Sequence, residues 1–203
     1  MSFINKQTLM SAIPLTITSL VCLLLIVVMH ILTKDKISIN KERAALAVIN
    51  EVIPVEYDND LFHDKITINV PVYINNTNRI TVYRARVNNQ PVAISLMPIN
   101  SKGYNGNISL VIGISYEGNL LGIRIINHNE TAGFGDQAHQ DNSDWLLGFK
   151  GYSLATAEKK WAIKKDEGEF DQLSGATITS RSIINIIYKT LEYYSENREK
   201  FYK

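Results

Sequence analysis

The stretch Ile80-Thr-Val-Tyr-Arg-Ala-Arg-Val87 alternates side chains of different character along its length. In an extended chain Val82, Arg84 and Arg86 would lie on one side, and the intervening residues would lie on the other. A period of two residues is typical of a β-strand that buries one face. This stretch therefore predicts a half-buried strand, and the segments on both sides of it show whether the fold is built mainly from such strands.

Several other short runs are rich in β-branched and aromatic residues and are separated by polar turns. The predicted additional strands are Ile66–Tyr73, Pro91–Met97, Ile108–Tyr116, Leu121–Asn127 and Trp161–Ile163. Between two of them, Glu117-Gly-Asn119 is short and polar enough to form a tight hairpin turn. Hairpin connections of this kind join neighbouring strands that run in opposite directions, so we expect a mostly antiparallel sheet.

Helical patterns flank this strand-rich region. Apolar residues recur at helical spacing over residues 37–57, where Pro54 should stop the helix, and over residues 179–197. A further short helix is predicted near Ser143–Phe149. Strands and helices are mixed without a regular β-α-β alternation, which indicates an α+β fold with a mostly antiparallel sheet and flanking helices.

The N-terminal segment Ile13–Leu32 carries no Asp, Glu, Lys or Arg. About 20 apolar residues in a helix match the thickness of a bilayer's hydrocarbon core, about 30 Å. Lys34, Asp35 and Lys36 follow the segment without a small-residue cleavage site, so a removed signal peptide is not indicated. We expect a membrane anchor over residues 1–36, with its span at about 13–32, and one domain over residues 37–203.

Composition excludes several other classes of protein. The 21 basic and 20 acidic residues give a formal net charge of +1, without the clustered basic charge of a nucleic-acid-binding protein. Cys22 is the single cysteine, so the chain can form neither an internal disulfide nor a multi-cysteine zinc or iron–sulfur site.

The loop Asp171-Gln-Leu-Ser-Gly-Ala-Thr-Ile-Thr-Ser180 directly precedes the predicted last helix. The first backbone N–H groups of a helix lack internal partners and attract anions. A phosphate site is also favoured by the side chains of this loop. Ser174, Thr177 and Thr179 supply hydroxyl groups, and the small residues Gly175 and Ala176 leave the backbone open to close approach. Ordinary capping of the helix by Ser or Thr explains the same pattern.

A second loop, from Asn127 to Asp136, follows a predicted strand and contains Gly133 and Gly135. Two glycines after a glutamate can simply shape a turn. The nearby acidic and histidine side chains do not follow an established metal-ligand spacing such as His-Glu-x-x-His, so no metal site is predicted.

These two loops belong to a longer ordered pattern. Along the chain come Gly103-Tyr-Asn-Gly106, Glu130-Thr-Ala-Gly-Phe-Gly135, Ser143-Asp-Trp145, Phe149 and Ser174-Gly-Ala-Thr177. The pattern resembles the G subunit of the Rnf/Rsx electron transport complex along nearly the whole chain, including the N-terminal span. Asp171 together with Ser174-Gly-Ala-Thr177 resembles the target motif of the transferase that attaches FMN to a threonine. Where the family commonly has Glu-Thr-Pro-Gly-Leu-Gly, this chain has Ala132 and Phe134 in place of Pro and Leu.

The resemblance implies that Thr177 carries FMN through a phosphoester bond. FAD would be the donor and AMP the leaving group, and magnesium would serve the flavin transferase. The remaining expected flavin-site residues are Ser174, Gly175, Ala176, Ile178, Thr179, Glu130, Thr131, Gly133 and Gly135. Asp171 would be recognised by the transferase or cap the turn. Trp145 is a candidate to stack on the flavin ring, with a core position as the alternative.

The resemblance also implies an electron carrier within a membrane complex, with its other subunits, the lipid bilayer and the flavin transferase as partners. The domain would face the periplasm from the bacterial inner membrane. Lys6 precedes the span, whereas Lys34, Lys36, Lys41 and Arg43 follow it, and this bias alone favours a cytoplasmic domain. The related C subunit of the sodium-pumping NADH:quinone reductase, and a non-redox tethered scaffold or sensory domain, are the alternatives.

Overall fold

The structure, a computed structural model, describes residues 6–156 and 160–202. The chain forms two units, one up to Ala44 and one from Ala45 onward. Helix α1, Lys6–Val52, begins in the first unit and ends in the second. From Ala12 to Leu32 every side chain is exposed, and within residues 12–52 the helix is long and apolar enough to cross a membrane.

The structure joins two predicted helical segments into one. Residues 33–36 separate the predicted span from the predicted helix over residues 37–57, and they contain neither Pro nor Gly, so the helix continues through them. The helix ends at Val52. Pro54 disfavours helical backbone at Ile53, which confirms its predicted role as the stop.

The second unit is built on a five-stranded antiparallel sheet in which each strand pairs with the next along the chain. The strands are β1 Lys65–Asn69, β2 Arg79–Val87, β3 Gln90–Lys102, β4 Asn107–Ser115 and β5 Leu120–Asn127. The predicted α+β class and the mostly antiparallel sheet are therefore confirmed.

Strand β1 is shorter than the predicted Ile66–Tyr73. The N–H of Val70 still bonds the carbonyl of Asn78 at 2.9 Å, but Pro71 has no N–H with which to continue the pairing. The chain therefore turns away from the sheet after Asn69.

Both faces of the sheet are covered, whereas the sequence predicted a strand with one buried face. Val82 of β2 belongs to one apolar cluster, and Tyr83 and Ala85 belong to another. The second cluster contains Val52 at the end of α1, whose backbone lies against the paired glycines Gly113 and Gly122. A Cβ atom at either glycine would collide with Val52, so the glycines allow the end of the helix to approach the sheet closely.

The first cluster is covered by helix α2, Thr177–Tyr202, which is longer at both ends than the predicted 179–197. The predicted apolar face of this helix is buried: Ile183, Ile184, Ile187, Leu191 and Tyr194. The short strands β6 Lys160–Ile163 and β7 Gly168–Phe170 pair in parallel before it. Three-residue β7 has no sequence period long enough to be recognised.

Candidate functional site

Three loops meet at the N-terminal end of α2, and Glu130 joins them. Its Oε1 atom accepts a hydrogen bond from the backbone N–H of Asn105, at 2.9 Å, in the turn between β3 and β4. Its Oε2 atom accepts one from the hydroxyl of Thr179, at 2.5 Å, in the first turn of α2. The carboxylate thus fixes the loop after β5 to a strand turn on one side and to the helix on the other.

Two glycines make room for this carboxylate. A Cβ atom at Gly103 would collide with Oε1 of Glu130, and one at Gly135 would collide with Oε2. Both glycines are buried. The spacing of Glu130 and the glycines therefore serves close packing around the carboxylate.

The loop before α2 is held by its own hydrogen bonds. The hydroxyl of Ser180 accepts from the N–H of Leu173 and donates to the carbonyl of Ala176, both at 3.0 Å. Gly175 lies at φ +71°, and the ring of Phe134 lies where its Cβ would be. A side chain at Gly175 would therefore be both strained and blocked by Phe134.

The first amide groups of α2 are available to a ligand. The first backbone hydrogen bond of the helix is donated by the N–H of Ser180 to the carbonyl of Ala176. In the part of the chain that the structure describes, the N–H groups of Thr177, Ile178 and Thr179 have no hydrogen-bond acceptor. Such amides, at the positive end of the helix dipole, favour an anion.

A pocket of about 540 Å³ opens beside these amides. It is lined by Tyr104, Thr131, Phe134, Gly175, Ala176, Thr177, Ile178 and Thr179. Three large apolar side chains stay unusually exposed there: Tyr104 at 74%, Phe134 at 53% and Ile178 at 51%. We call this space the helix-end pocket; it combines an anion-binding end with a broad apolar wall.

Six of the ten residues that the sequence assigned to the flavin site line this pocket: Gly175, Ala176, Thr177, Ile178, Thr179 and Thr131. Ser174, Glu130, Gly133 and Gly135 do not line it. Tyr104 and Phe134 do line it, although they were not assigned to the site. Both lie inside the motifs that carry the resemblance, which is the only signal by which the sequence could have indicated them.

Asp171 and Trp145 are connected to each other outside the pocket. The indole Nε1–H of Trp145 donates to the backbone carbonyl of Asp171 at 2.8 Å, and its ring packs edge-on against Phe149. The Asp171 carboxylate accepts a hydrogen bond of 2.7 Å from the ammonium of Lys164, and this bond raises the pKa of Lys164. Trp145 is thus half-buried beside the core and holds the loop before α2 through a backbone contact.

Two histidines near the site, His128 and His139, lie close to each other. The rings of His128 and His139 lie 5.5 Å apart between centroids. Within residues 6–156 and 160–202, no group of three or more His, Cys, Asp or Glu side chains could hold a metal ion.

The comparisons with known proteins identify the family of the domain that contains these loops. Residues 103–192, which contain all three loops, match the FMN-binding domain family. The chain is 34% identical over 197 residues to the G subunit of the ion-translocating oxidoreductase complex from Shewanella loihica, covering 96% of this chain and 93% of that protein. It is 36% identical to the G subunit from Pseudoalteromonas atlantica, covering 84% of this chain and 80% of the relative.

Among solved structures, the chain resembles the C subunit of the Na⁺-translocating NADH-quinone reductase from Parabacteroides distasonis. The TM-score is 0.47 at 22% identity, covering 73% of this chain and 72% of that one.

The fold and the matched residues define a protein with an FMN-binding domain. The similarity along nearly the whole chain is more specific. The chain belongs to the family of ion-translocating oxidoreductase complex G subunits.

Proposed function

We propose that this chain is an electron-carrying component of a membrane-bound, ion-translocating electron transport complex and that it holds FMN through a phosphoester bond to Thr177. One observation carries the proposal. Thr177 is the first residue of α2 and lines the helix-end pocket, next to backbone N–H groups that have no acceptor in the described residues. A threonine hydroxyl at this position suits attachment of a phosphate.

The end of the pocket beside the first amides of α2 fits the negative charge of a flavin phosphodiester. A phosphodiester between Thr177 and the ribityl chain keeps a negative charge, which the N–H groups of Thr177, Ile178 and Thr179 and the helix dipole would stabilise. Gly175 and Ala176 line the same end without bulky side chains. Ser174 precedes them and is exposed; we propose that its hydroxyl donates to the phosphate.

The apolar wall fits the flavin ring. Tyr104, Phe134 and Ile178 expose apolar surface that a flat aromatic group would cover by stacking and dispersion contacts. Thr131 adds a hydroxyl to the same wall. When bound there, FMN supplies the one- and two-electron redox chemistry, and the residues of the wall set its position and its exposure to water.

Glu130 and Thr179 act by positioning. The Thr179 hydroxyl is already bonded to the Glu130 carboxylate, so these groups hold the pocket wall against the helix. Gly135 leaves room for the carboxylate, and Gly133, at φ +78°, shapes the loop that carries Phe134. We expect these residues to keep the pocket in shape, with Phe134 and Tyr104 making the ring contacts.

We further propose that α1 anchors the chain in the bacterial inner membrane and that the flavin domain faces the periplasm. There the flavin transferase would recognise the loop that contains Asp171 and transfer the flavin phosphate from FAD to the Thr177 hydroxyl, with AMP leaving. The exposed mouth of the helix-end pocket would let neighbouring redox proteins of the complex approach the flavin. The family membership supports this arrangement, whereas the four basic residues Lys34, Lys36, Lys41 and Arg43 favour the opposite orientation.

The test is in-gel flavin fluorescence after co-expression with a flavin transferase and denaturing electrophoresis. We expect a fluorescent band for the natural chain, none for Thr177→Val, which removes the hydroxyl at constant shape, and a band for Thr177→Ser, which keeps it. A fluorescent Thr177→Val band would place the flavin on another residue. A dark natural chain, beside a known flavinylated protein as positive control, would favour a non-redox tethered domain.

A further inference from the structure

A second pocket lies along α2, beyond the helix-end pocket, and shares none of its lining residues. Its volume is about 280 Å³. Its walls come from the connection between β1 and β2, from the paired ends of β3 and β4, and from the second to fourth turns of α2. We call it the lysine–asparagine pocket, after the side chains that line it.

The charge of this pocket has one sign. Among the described residues that line it, Lys102 and Lys189 are charged and none is acidic. In the described residues neither lysine forms an ion pair; the ammonium of Lys189 lies 5.2 Å from the centre of the Tyr73 ring. A concave surface lined by positive charge alone concentrates the electric field and attracts anions.

The pocket also offers hydrogen-bonding groups that are not used within the domain. Asn76, Asn107 and Asn185 line it and are exposed, and their side-chain amides have no hydrogen-bond partner among residues 6–156 and 160–202. Each amide can donate two hydrogen bonds and accept others, so together they suit a ligand with hydroxyl groups or several oxygen atoms.

The wall that carries these groups is fixed. Asn75 is buried and donates to the carbonyls of Arg79 and Pro98, which holds the connection after β1 against β3. The hydroxyls of Ser101 in β3 and Ser182 in α2 lie 2.6 Å apart, and their hydrogen bond joins the strand to the helix at the pocket wall. Because these walls are already fixed, the site loses less conformational entropy when a ligand binds.

We propose that the lysine–asparagine pocket binds a phosphate ester that carries free hydroxyl groups. The ligand is either a polyol phosphate in solution or the glycerol headgroup of a phospholipid such as phosphatidylglycerol. Lys102 and Lys189 would bind the phosphoryl oxygens and the three asparagine amides would bind the hydroxyls. Val72 and Tyr73 stay 60% and 49% exposed at the rim and would contact the less polar part of the ligand.

The test is calorimetric titration of the flavin-loaded full-length chain in detergent. The ligands are glycerol 3-phosphate, dihexanoyl phosphatidylglycerol and, as a headgroup without hydroxyls, dihexanoyl phosphatidylcholine. Flavin loading keeps the N-terminal end of α2 occupied, so phosphate binding there does not contribute. We expect at least one of the first two ligands to bind, more tightly than phosphatidylcholine and more weakly as salt rises. Tighter binding of glycerol 3-phosphate would indicate a soluble polyol phosphate, and tighter binding of phosphatidylglycerol would indicate a lipid headgroup.

The variant Lys102→Gln/Lys189→Gln should weaken this binding by at least about tenfold, because it removes both charge-assisted contacts. Lys150→Gln/Lys165→Gln removes the same charge from exposed positions elsewhere and should change it little. Asn185→Ala, also at an exposed position, should weaken glycerol 3-phosphate more than inorganic phosphate. Absence of binding by the natural chain at millimolar ligand, or equal losses in the two double variants, would overturn the proposal. Neither double variant alters the N-terminal end of α2, so a difference between the two reports on this pocket whether or not Thr177 carries FMN.

Discussion

The hydroxyl of Thr179 donates a hydrogen bond of 2.5 Å to the carboxylate of Glu130, although the two residues lie 49 positions apart in the chain. This contact joins the first turn of α2 to the loop after β5, and both segments line the helix-end pocket. The shape of the pocket therefore depends on a carboxylate that is engaged on both of its oxygens, by Thr179 and by the N–H of Asn105.

We expect Glu130→Gln to destabilise the domain. A glutamine can still accept from the N–H of Asn105 through its oxygen, but it presents an N–H group to Thr179, whose hydroxyl must then accept. Both bonds lose the negative charge, and hydrogen bonds to a charged group contribute about 1.5–3 kcal/mol. The measurement is the midpoint of thermal unfolding of the full chain in detergent. Glu196→Gln, at an exposed position, is the control. Equal midpoints for the two variants would show that the carboxylate contacts contribute nothing.

Adding a single methyl group should distinguish Gly135 and Gly148, which lie in the short 3-10 helices Gly135–Ala138 and Trp145–Phe149. At Gly135 a Cβ would collide with the Glu130 carboxylate, whereas at Gly148 nothing lies within 4 Å of it. Gly135→Ala should lower the free energy of unfolding by about 1–3 kcal/mol through overpacking, and Gly148→Ala should change it little. Comparable stabilities in denaturant titrations would contradict the close packing around Glu130.

Replacement of Phe134 should expose a bound flavin to water. Phe134→Ala removes part of the apolar wall, and Phe134→Leu keeps an apolar side chain there. We expect iodide to quench the flavin fluorescence of Phe134→Ala faster than that of the natural chain, with Phe134→Leu in between. If all three chains are quenched at one rate, Phe134 does not cover the ring.

Asp171 forms an ion pair with Lys164, and we propose that the flavin transferase also recognises it; two substitutions distinguish these roles. Both side chains are largely exposed, so solvent screens the pair and Lys164→Gln should hardly affect stability or flavin attachment. Asp171→Asn should slow flavin attachment, because we propose that the transferase reads this carboxylate. The rate at which in-gel fluorescence appears measures flavin attachment in both variants. Both substitutions break the ion pair, so equal effects of Lys164→Gln and Asp171→Asn would mean that the ion pair, and not recognition of the carboxylate, matters.

Much of the fold followed from local patterns. Period-two runs such as Ile80–Val87 and the turn Glu117-Gly-Asn119 predict antiparallel neighbours, and the structure confirms them. That the end of α1 covers the second face of the sheet was not predictable, because it depends on Val52 meeting Gly113 and Gly122, which lie more than 60 residues further along the chain.

The site divides in the same way. The sequence predicted a site at Thr177 through the resemblance of one contiguous motif, and in the structure Thr177 lines the helix-end pocket. Phe134 and Tyr104 enter the pocket only because three separate loops meet, and no single segment contains that information. The sequence assigned Glu130 to the flavin; in the structure both of its oxygens are bonded within the protein.

The bond between Thr177 and FMN is tested most directly by the intact mass of the full chain purified after co-expression with a flavin transferase, followed by tandem mass spectrometry of its peptides. We predict a mass increase of one FMN less one water, located on the hydroxyl of Thr177. An unmodified mass in fully processed protein, or a flavin located on any other residue, would contradict it.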